Sequence, residues 1–223
     1  MESIMKCAVI IVASGFGRRF GSKIPKQFLS LNKKPMFLWS VDTFASIKIF
    51  KQIVVVAPFH MIKFLISKYG NKFECVAGGK ERYNSVKSGL EVINNDIEFV
   101  AIHDAARPLI AKIDILSILK KVTKTKAVIA VEKIKDTIKL VSNNGQILKT
   151  LNRFFLRGAQ TPQIFDLKIL KKAYFMKRSI NSSDDAQLVE NLKIKISTVE
   201  TRFPNFKITT KQDFLLAEKL LKY

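Results

Sequence analysis

The chain has little of what secreted, membrane-bound or metal-stapled proteins rely on. It carries two cysteines among 223 residues, Cys7 and Cys75, each inside an apolar stretch and neither at a metal-ligand spacing. A disulfide framework and a zinc site are therefore not expected, and both thiols read as small buried hydrophobes in a reducing cytoplasm. The longest apolar runs, such as Cys7 to Ala13, fall far short of the roughly 20 residues that a membrane helix needs. No basic segment leading into an apolar stretch and a small-residue cleavage site precedes that run, so no secretory signal is expected. Histidine is scarce as well, with two residues; His103, alone at a strand end, reads as structural rather than catalytic.

Acidic residues are also few. Asp and Glu total 18 against 39 Lys and Arg, a formal net charge of +21. Such an excess suits a polyanionic partner such as nucleic acid. It equally suits lysines solvated over helix faces. The basic residues are scattered, with Lys-Lys pairs at 33–34, 120–121 and 171–172 and no basic tail. There is no aromatic RNA-binding signature, zinc-finger spacing or KH-type loop. A basic nucleic-acid-binding module is thus the rival from another functional class, and the charge reads as background that favours anionic substrates.

What is present is a globular chain, 48% hydrophobic, long enough for one substantial core. CAVIIVA (7–13), QIVVVAP (52–58), FECVAG (73–78), FVAIHDA (99–105) and AVIAVEKI (127–134) are near-continuous apolar runs, as expected of strands covered on both faces. Between them, PMFLWSVDTFAS begins with Pro35 at a helix N1 position, and RYNSVKSGLEVI places Val86, Leu90 and Ile93 on one stripe. This βαβα rhythm predicts a mostly parallel, doubly wound α/β sheet. KIKDTIKLVSNNGQILKTLNRFF (133–155) breaks the rhythm: two β-like arms flank Asn143-Asn144-Gly145, a hairpin signal. A projecting hairpin needs something to cover its apolar face, and a second subunit is the simplest candidate. A helix near 166–177, another over DDAQLVENL, strands around 195–201 and 206–210 and a terminal helix complete a single domain, 1–223, with an arm.

Four stretches carry chemistry. VIIVASGFGRRFGSKIPKQF (9–28) looks like a strand feeding a phosphate loop, yet Phe20 stands where a dinucleotide fingerprint needs glycine, and Gly21-Ser22-Lys23 is not a P-loop ending. Its small residues let backbone amides approach an anion, while Arg18, Arg19 and Lys26 supply more charge than one phosphate requires; a triphosphate fits. VAGGKERYNSV (76–86) pairs a Gly-Gly turn with Ser85, suiting a flat base or simply a β–α turn. In IHDAARP (102–108), Asp104 ends a buried strand where an α/β site would place a Mg²⁺ ligand, or it pairs with Arg107. Beyond the arm lie Thr137, Arg153, AQTPQIF (159–165) and SSDDAQLVE (182–190), whose Asp184 and Asp185 read as helix N-terminal charges rather than metal ligands. Lys207 in NFKITT is a lone charge in a strand-like run.

In order along the chain, A-S-G-F-G-R-R-F…P-K-Q-F, G-G-K-E-R-Y-N-S-V, H-D-A-A-R-P, K-D-T-I-K, A-Q-T-P-Q-I-F, S-D-D-A-Q-L-V-E and N-F-K-I-T resemble the 2-C-methyl-D-erythritol 4-phosphate cytidylyltransferases of the non-mevalonate isoprenoid pathway. The resemblance implies a nucleotidyltransferase α/β fold, CTP and a sugar-alcohol phosphate as substrates, Mg²⁺ or another divalent cation, and a homodimer with interlocked arms. By position, Ala13, Ser14, Gly15, Phe16, Gly17, Arg18, Arg19 and Lys26 would hold CTP, with Gly79 and Ser85 at the cytosine. Asp104 would lie near the metal and ribose-phosphate region, beside Ala105, Ala106 and Arg107. Thr137, Arg153, Thr161 and Ser183 would bind the acceptor, Thr137 and Arg153 in the partner's site. Arg19 and Lys26 would stabilise the transferring phosphoryl group, and Lys207 would bridge the two substrates. Ser14 stands where the family usually has a second alanine, and Lys80 follows the Gly-Gly pair where an acidic residue often sits, so no base contact is carried over there; Pro204 precedes Asn205 where an acidic residue is common, so no metal ligand is assigned near Lys207. Within enzymes, the nearest rival is a ribitol 5-phosphate cytidylyltransferase, which shares several of these motifs.

Overall fold

The structure, a computed structural model, describes residues 5–15, 20–21, 24–176 and 182–221. Strand β1 (Cys7–Val12) is followed by a short ladder of β2 (Ser30–Leu31) with β3 (Lys34–Pro35) and by helix α1 (Met36–Ala45). Next come β4 (Phe50–Ala57), α2 (Ile62–Tyr69), β5 (Glu74–Ala77), α3 (Arg82–Glu91), β6 (Phe99–Asp104), α4 (Lys112–Thr125) and β7 (Ala127–Lys133). The hairpin β8 (Lys139–Val141) and β9 (Ile147–Thr150) precedes β10 (Arg157–Asp166), α5 (Leu167–Phe175), α6 (Asp185–Glu190), β11 (Ser197–Glu200) and α7 (Lys211–Leu220). Seven strands form the main sheet in the order β11-β7-β10-β6-β1-β4-β5. All neighbours run parallel except β10, which is antiparallel to both β6 and β7. The mostly parallel α/β fold expected from the βαβα rhythm is what forms.

The continuous apolar strands follow from two cores, one on each face. Cys7, Val9 and Ile11 of β1 belong to a cluster with Phe37 and Phe44 of α1, Leu65 of α2 and Ile115 and Ile118 of α4. The alternate residues Ala8 and Ile10 belong to the other, with Val86 and Leu90 of α3, Leu170 and Tyr174 of α5 and Leu188 of α6. Neither parity of β1 can be polar. Each such side chain contributes about 1.5–3 kcal/mol on burial. Where α3 crosses the sheet, a Cβ on Gly89 would lie 2.7 Å from Ile10 Cγ2, so a side chain there is excluded by the sheet itself. A smaller cluster of Phe20, Leu31, Met36, Ile208 and Ala217 seats α7.

The structure departs from the sequence reading in four places. Residues 159–165, for which the sequence suggested no element, form the middle of β10. Pro162 has no N–H for a ladder, and the pairing with β7 shifts register between Ala159 and Gln163. Residues 206–210 make no strand: the segment is tied down by Ile208 N donating to Ala106 O at 2.8 Å. Pro35 is the N-cap of α1, not its first residue, because its ψ of 135° is extended. Helix α2 and the β2–β3 ladder had no clear periodic signal. The turn at Asn143-Asn144-Gly145 forms with Gly145 at φ +83°, and β8 and β9 pair only with each other. This arm exposes Leu140, Val141, Ile147 and Leu148, and Phe154 and Phe155 beyond it are more than 70% exposed.

His103, the penultimate residue of β6, is fully buried against Phe44. Its Nε2–H donates to Arg107 O at 3.1 Å, which leaves Nδ1 as the acceptor for the Thr161 hydroxyl at 3.2 Å. Burial pushes its pKa down to about 4, although the neighbouring Asp104 carboxylate pulls the other way.

Two outcomes are expected. Gly89→Ala gains about 1 kcal/mol of helix propensity but overpacks Ile10, at about 1–3 kcal/mol. It should therefore lower the urea midpoint, and a stabilised variant would contradict this packing. For His103, the unfolded chain takes up a proton below its ordinary pKa of 6.5 while the folded chain resists until about 4. Its stabilising contribution is thus complete above pH 6.5 and declines as pH falls towards 4. Between pH 7 and 5 the native protein should lose about 2 kcal/mol more than His103→Gln; equal slopes in urea titrations would exclude this role.

Candidate active site

The carboxyl ends of β1, β5 and β6 meet over one cleft, where open α/β sheets bind ligands. A cavity of about 510 Å³ there is lined by Ser14, Gly15 and Lys26 from the segment after β1, Gly79 to Arg82 and Ser85 at the start of α3, and Asp104, Ala106 and Lys207. A second cavity of about 220 Å³ adjoins it, lined by Arg107, Gln160, Thr161, Gln163, Ser183 and Asp184. Arg82, Asp104 and Lys207 line both.

The larger cavity is shaped by close backbone approach. Gln27 Nε2 donates to Ala13 O at 2.5 Å and Gly15 O at 2.7 Å, fixing the chain after β1. Lys26 Nζ donates to Ile208 O at 2.5 Å, joining that segment to the one that carries Lys207. At the floor, the Ser14 and Ser85 hydroxyls lie 2.7 Å apart, and Ser85 Oγ is 3.1 Å from Glu81 O. A Cβ on Gly78 would fall 2.3 Å from Ser14 Cβ, and one on Gly79 would fall 2.3 Å from Asn84 Cβ. The Gly-Gly pair is required by these contacts.

Asp104 stands on the wall between the cavities. Its Oδ1 is 3.3 Å from Arg82 Nε, and its Oδ2 is 2.7 Å from Lys207 Nζ. Its backbone N–H donates to Thr161 Oγ1 at 3.0 Å, so β6 and β10 are locked at the site. Burial alone would raise its pKa, but Arg82, Lys207 and Arg107 together hold it well below the usual carboxylate range. Arg107 stands further off, with Nε 4.0 Å from Asp104, and gives NH1 to Asn205 O at 2.7 Å. Arg82 is itself gripped from behind. Its NH1 and NH2 reach the two oxygens of fully buried Asp185 at 2.9 and 2.7 Å. The Tyr174 hydroxyl donates to the same carboxylate. Burial, then Asp185, raises the Tyr174 pKa, so the hydroxyl keeps its proton and its donor role. Asp184 caps α6, accepting from Gln187 N at 3.0 Å.

The residues expected at the site divide into five groups. Ser14, Gly15, Lys26, Gly79, Ser85, Asp104, Ala106 and Lys207 meet in the larger cavity, and Arg107, Thr161 and Ser183 meet in the smaller. Ala13 and Ala105 are buried in the core behind the cleft and line neither. Thr137 and Arg153 lie exposed at the base of the arm, away from both cavities. Phe16, Gly17, Arg18 and Arg19 lie outside the described residues. Sequence reasoning passed over Arg82, Tyr174, Gln27 and Gln160, and read Asp185 as a helix N-terminal charge without its tie to Arg82. An arginine next to a Gly-Gly turn was a signal for the first; the others draw their roles from partners distant in the chain.

Among the described residues no three His, Cys, Asp or Glu side chains converge. Asp104 is an ionised carboxylate on the wall of both cavities, with Glu81 in the larger and Asp184 in the smaller; a site without three converging carboxylates suits Mg²⁺ carried in with substrate phosphates and completing its shell with them, and does not suit a metal caged by protein alone. No helix among the described residues is long and apolar enough to cross a membrane.

A family model for 2-C-methyl-D-erythritol 4-phosphate cytidylyltransferase (IspD) matches residues 7–223. A protein of that name from Endomicrobium trichonymphae is 63% identical over 218 residues, covering 98% of this chain and 100% of the relative. Another from Caldanaerobacter subterraneus is 36% identical, over 98% of this chain and 100% of its own length. Among solved structures, 4-diphosphocytidyl-2C-methyl-D-erythritol synthase from Anaerococcus prevotii aligns with a TM-score of 0.86 at 28% identity, covering 99% of this chain and 100% of that one. The 2-C-methyl-D-erythritol 4-phosphate cytidylyltransferase from Thermus thermophilus aligns with a TM-score of 0.83 at 28% identity, over 98% and 100%. A match across nearly the whole length, on a cleft built from the motifs of the sequence, means that the chain belongs to the 2-C-methyl-D-erythritol 4-phosphate cytidylyltransferase family.

Proposed function

We propose that the two adjoining cavities hold the two substrates of a cytidylyl transfer: CTP in the larger, 2-C-methyl-D-erythritol 4-phosphate in the smaller. The products are 4-diphosphocytidyl-2-C-methyl-D-erythritol and pyrophosphate, in isoprenoid precursor synthesis. The observation that carries the division is the shared wall, since Lys207 and Arg82 line both spaces and a cation there faces both anions at once.

In this reading the acceptor phosphate is largely dianionic near neutral pH, its second pKa being about 6. One of its oxygens attacks the α-phosphorus of CTP. The new P–O bond forms as the bond to the β-phosphate bridging oxygen breaks, and pyrophosphate leaves with that electron pair. No proton has to move, which agrees with a buried, neutral His103 turned to structural partners. The protein's task is to align two anions and stabilise the charge that spreads over the transferring group. Lys26 and Arg19 serve the triphosphate, and Lys207 the oxygens on both sides of the new bond. The Ser14–Ser85 floor and the Gly-Gly turn receive the base. Mg²⁺, held by Asp104 together with substrate phosphates, would offset triphosphate charge.

The exposed arm belongs to the same reading. Leu140, Val141, Ile147, Leu148, Phe154 and Phe155 present an uncovered apolar surface, more than an isolated two-stranded hairpin holds out stably by itself. A homodimer in which each arm crosses to the other body would cover it and bring Thr137 and Arg153 to the partner's acceptor cavity.

Pyrophosphate release should require CTP, a divalent cation and 2-C-methyl-D-erythritol 4-phosphate. Equal turnover with ribitol 5-phosphate would reassign the acceptor, and salt-dependent nucleic-acid binding without CTP binding would overturn the enzyme reading. Lys26→Ala should lower kcat by about 10²-fold, the scale for one preorganised stabiliser. For the dimer, strongly impaired Arg153→Ala and Lys207→Ala proteins should regain about a quarter of native activity when unfolded together and refolded as a mixture, since half the dimers are mixed and each has one intact site. A mixture as inactive as its parts would count against crossed arms.

A further inference from the structure

Beyond lining both cavities, Arg82 has no stated step in the proposed transfer, yet it is held by two carboxylates at once. A guanidinium has donors on three nitrogens in one plane. Here NH1 and NH2 each give an N–H to one of the two oxygens of Asp185, and Nε faces Asp104 Oδ1. Asp185 is fully buried and is gripped a second time by the Tyr174 hydroxyl. Tyr174 is stacked on Tyr83 at 4.9 Å, and Tyr83 OH donates to Tyr174 O at 2.6 Å. The tether therefore runs from α5 through α6 to the first residue of α3 and ends on the last residue of β6. Its Arg82 and Asp104 line both cavities, with Ser85 of α3 in the larger and Ser183, just before α6, in the smaller.

Ordinary stabilisation explains this arrangement poorly. A buried ion pair roughly breaks even against well-packed apolar side chains of the same volume, so the fold gains little from it. Geometry is what it supplies. With one oxygen of Asp104 facing Arg82, the other is left to Lys207 at 2.7 Å, and the Lys207 ammonium is drawn to one place on the shared wall.

We propose that Arg82 is a positioning residue: clamped from behind by Asp185 and Tyr174, it sets the Asp104 carboxylate so that Lys207 stands between the two substrates. The inference rests on the two-cavity reading and deepens it, since Arg82 acts on the reaction through Lys207. A lysine at position 82 keeps the charge beside Asp185 but not the planar fork that faces two carboxylates in fixed directions.

The test is a double-mutant cycle on the full-length protein, with CTP, Mg²⁺ and 2-C-methyl-D-erythritol 4-phosphate as probes. Arg82→Lys should lower kcat by roughly 10- to 50-fold with KM for CTP changed less than about 3-fold, as expected when alignment is lost and binding is kept. Tyr174→Phe, which removes only the hydroxyl, should lower kcat by about 3-fold without changing KM for CTP, and it carries the cycle if Arg82→Lys does not fold. In a Lys207→Ala background either substitution should add less than about 2-fold, because residues that act as a unit are non-additive. Losses that multiply in full, or an Arg82→Lys enzyme within about 2-fold of native kcat, would overturn the positioning role and leave the two-cavity reading standing. Native turnover in Lys207→Ala alone would overturn both.

Discussion

One buried carboxylate organises the cleft. Asp104 ends the strand at the centre of the sheet, and cations approach it from α3 through Arg82 and from the segment before α7 through Lys207. Removing a carboxylate from water is costly, and the cost is offset only if opposite charge and hydrogen bonds are held close to it. The elements that supply these groups come from separate parts of the chain, so satisfying Asp104 obliges β6, β10, α3 and the 205–208 segment to converge. The Asp104 N–H to Thr161 bond and the Arg107 to Asn205 bond draw in two of these from the backbone side. The site's geometry and the packing of its surroundings have the same cause.

This also puts the net charge of +21 in proportion. Exposed lysines separated by more than about 8–10 Å are largely screened at ordinary ionic strength. Lys26, Arg82, Arg107 and Lys207 line the cavities instead, the first three partly buried and Lys207 paired with buried Asp104, where screening is weaker. A handful of placed cations therefore decides what the cleft accepts, whatever the total.

Much of this was legible in the sequence, for reasons that differ by element. The unbroken apolar runs of β1, β4, β6 and β7 announced a sheet covered twice, and Asp104 at the end of one announced the site. Of the segment after β1, Ser14, Gly15 and Lys26 line the larger cavity, and they stood out because small residues beside clustered cations have a distinctive composition. Strand β10 was hidden because its central residues, Gln160, Thr161 and Gln163, are polar and buried, serving the cavity and not the core, and because Pro162 interrupts one ladder. Asp185 was hidden for another reason. Two aspartates at a helix start satisfy a local rule, Asp184 as the cap and Asp185 as the first-turn charge, and that rule gives no hint that Asp185 also grips Arg82, 103 positions away. Residues whose partners are local can be read from spacing, and residues whose partners are remote cannot.

Strand β1 carries one more consequence. Val12 is in register with Val56 of β4 and with Asp104 of β6, and the loop that follows begins one residue later. Consecutive residues of β1 belong to opposite cores, so a slip by a single position would exchange the contents of both. It would also carry Ala13 to Gly15 about 3.3 Å along the strand relative to Asp104, a distance longer than a hydrogen bond. The two cores thus act as a vernier. Neither touches a substrate, but together they fix the spacing between the nucleotide loop and the carboxylate to a tolerance that neither the loop nor Asp104 could set for itself.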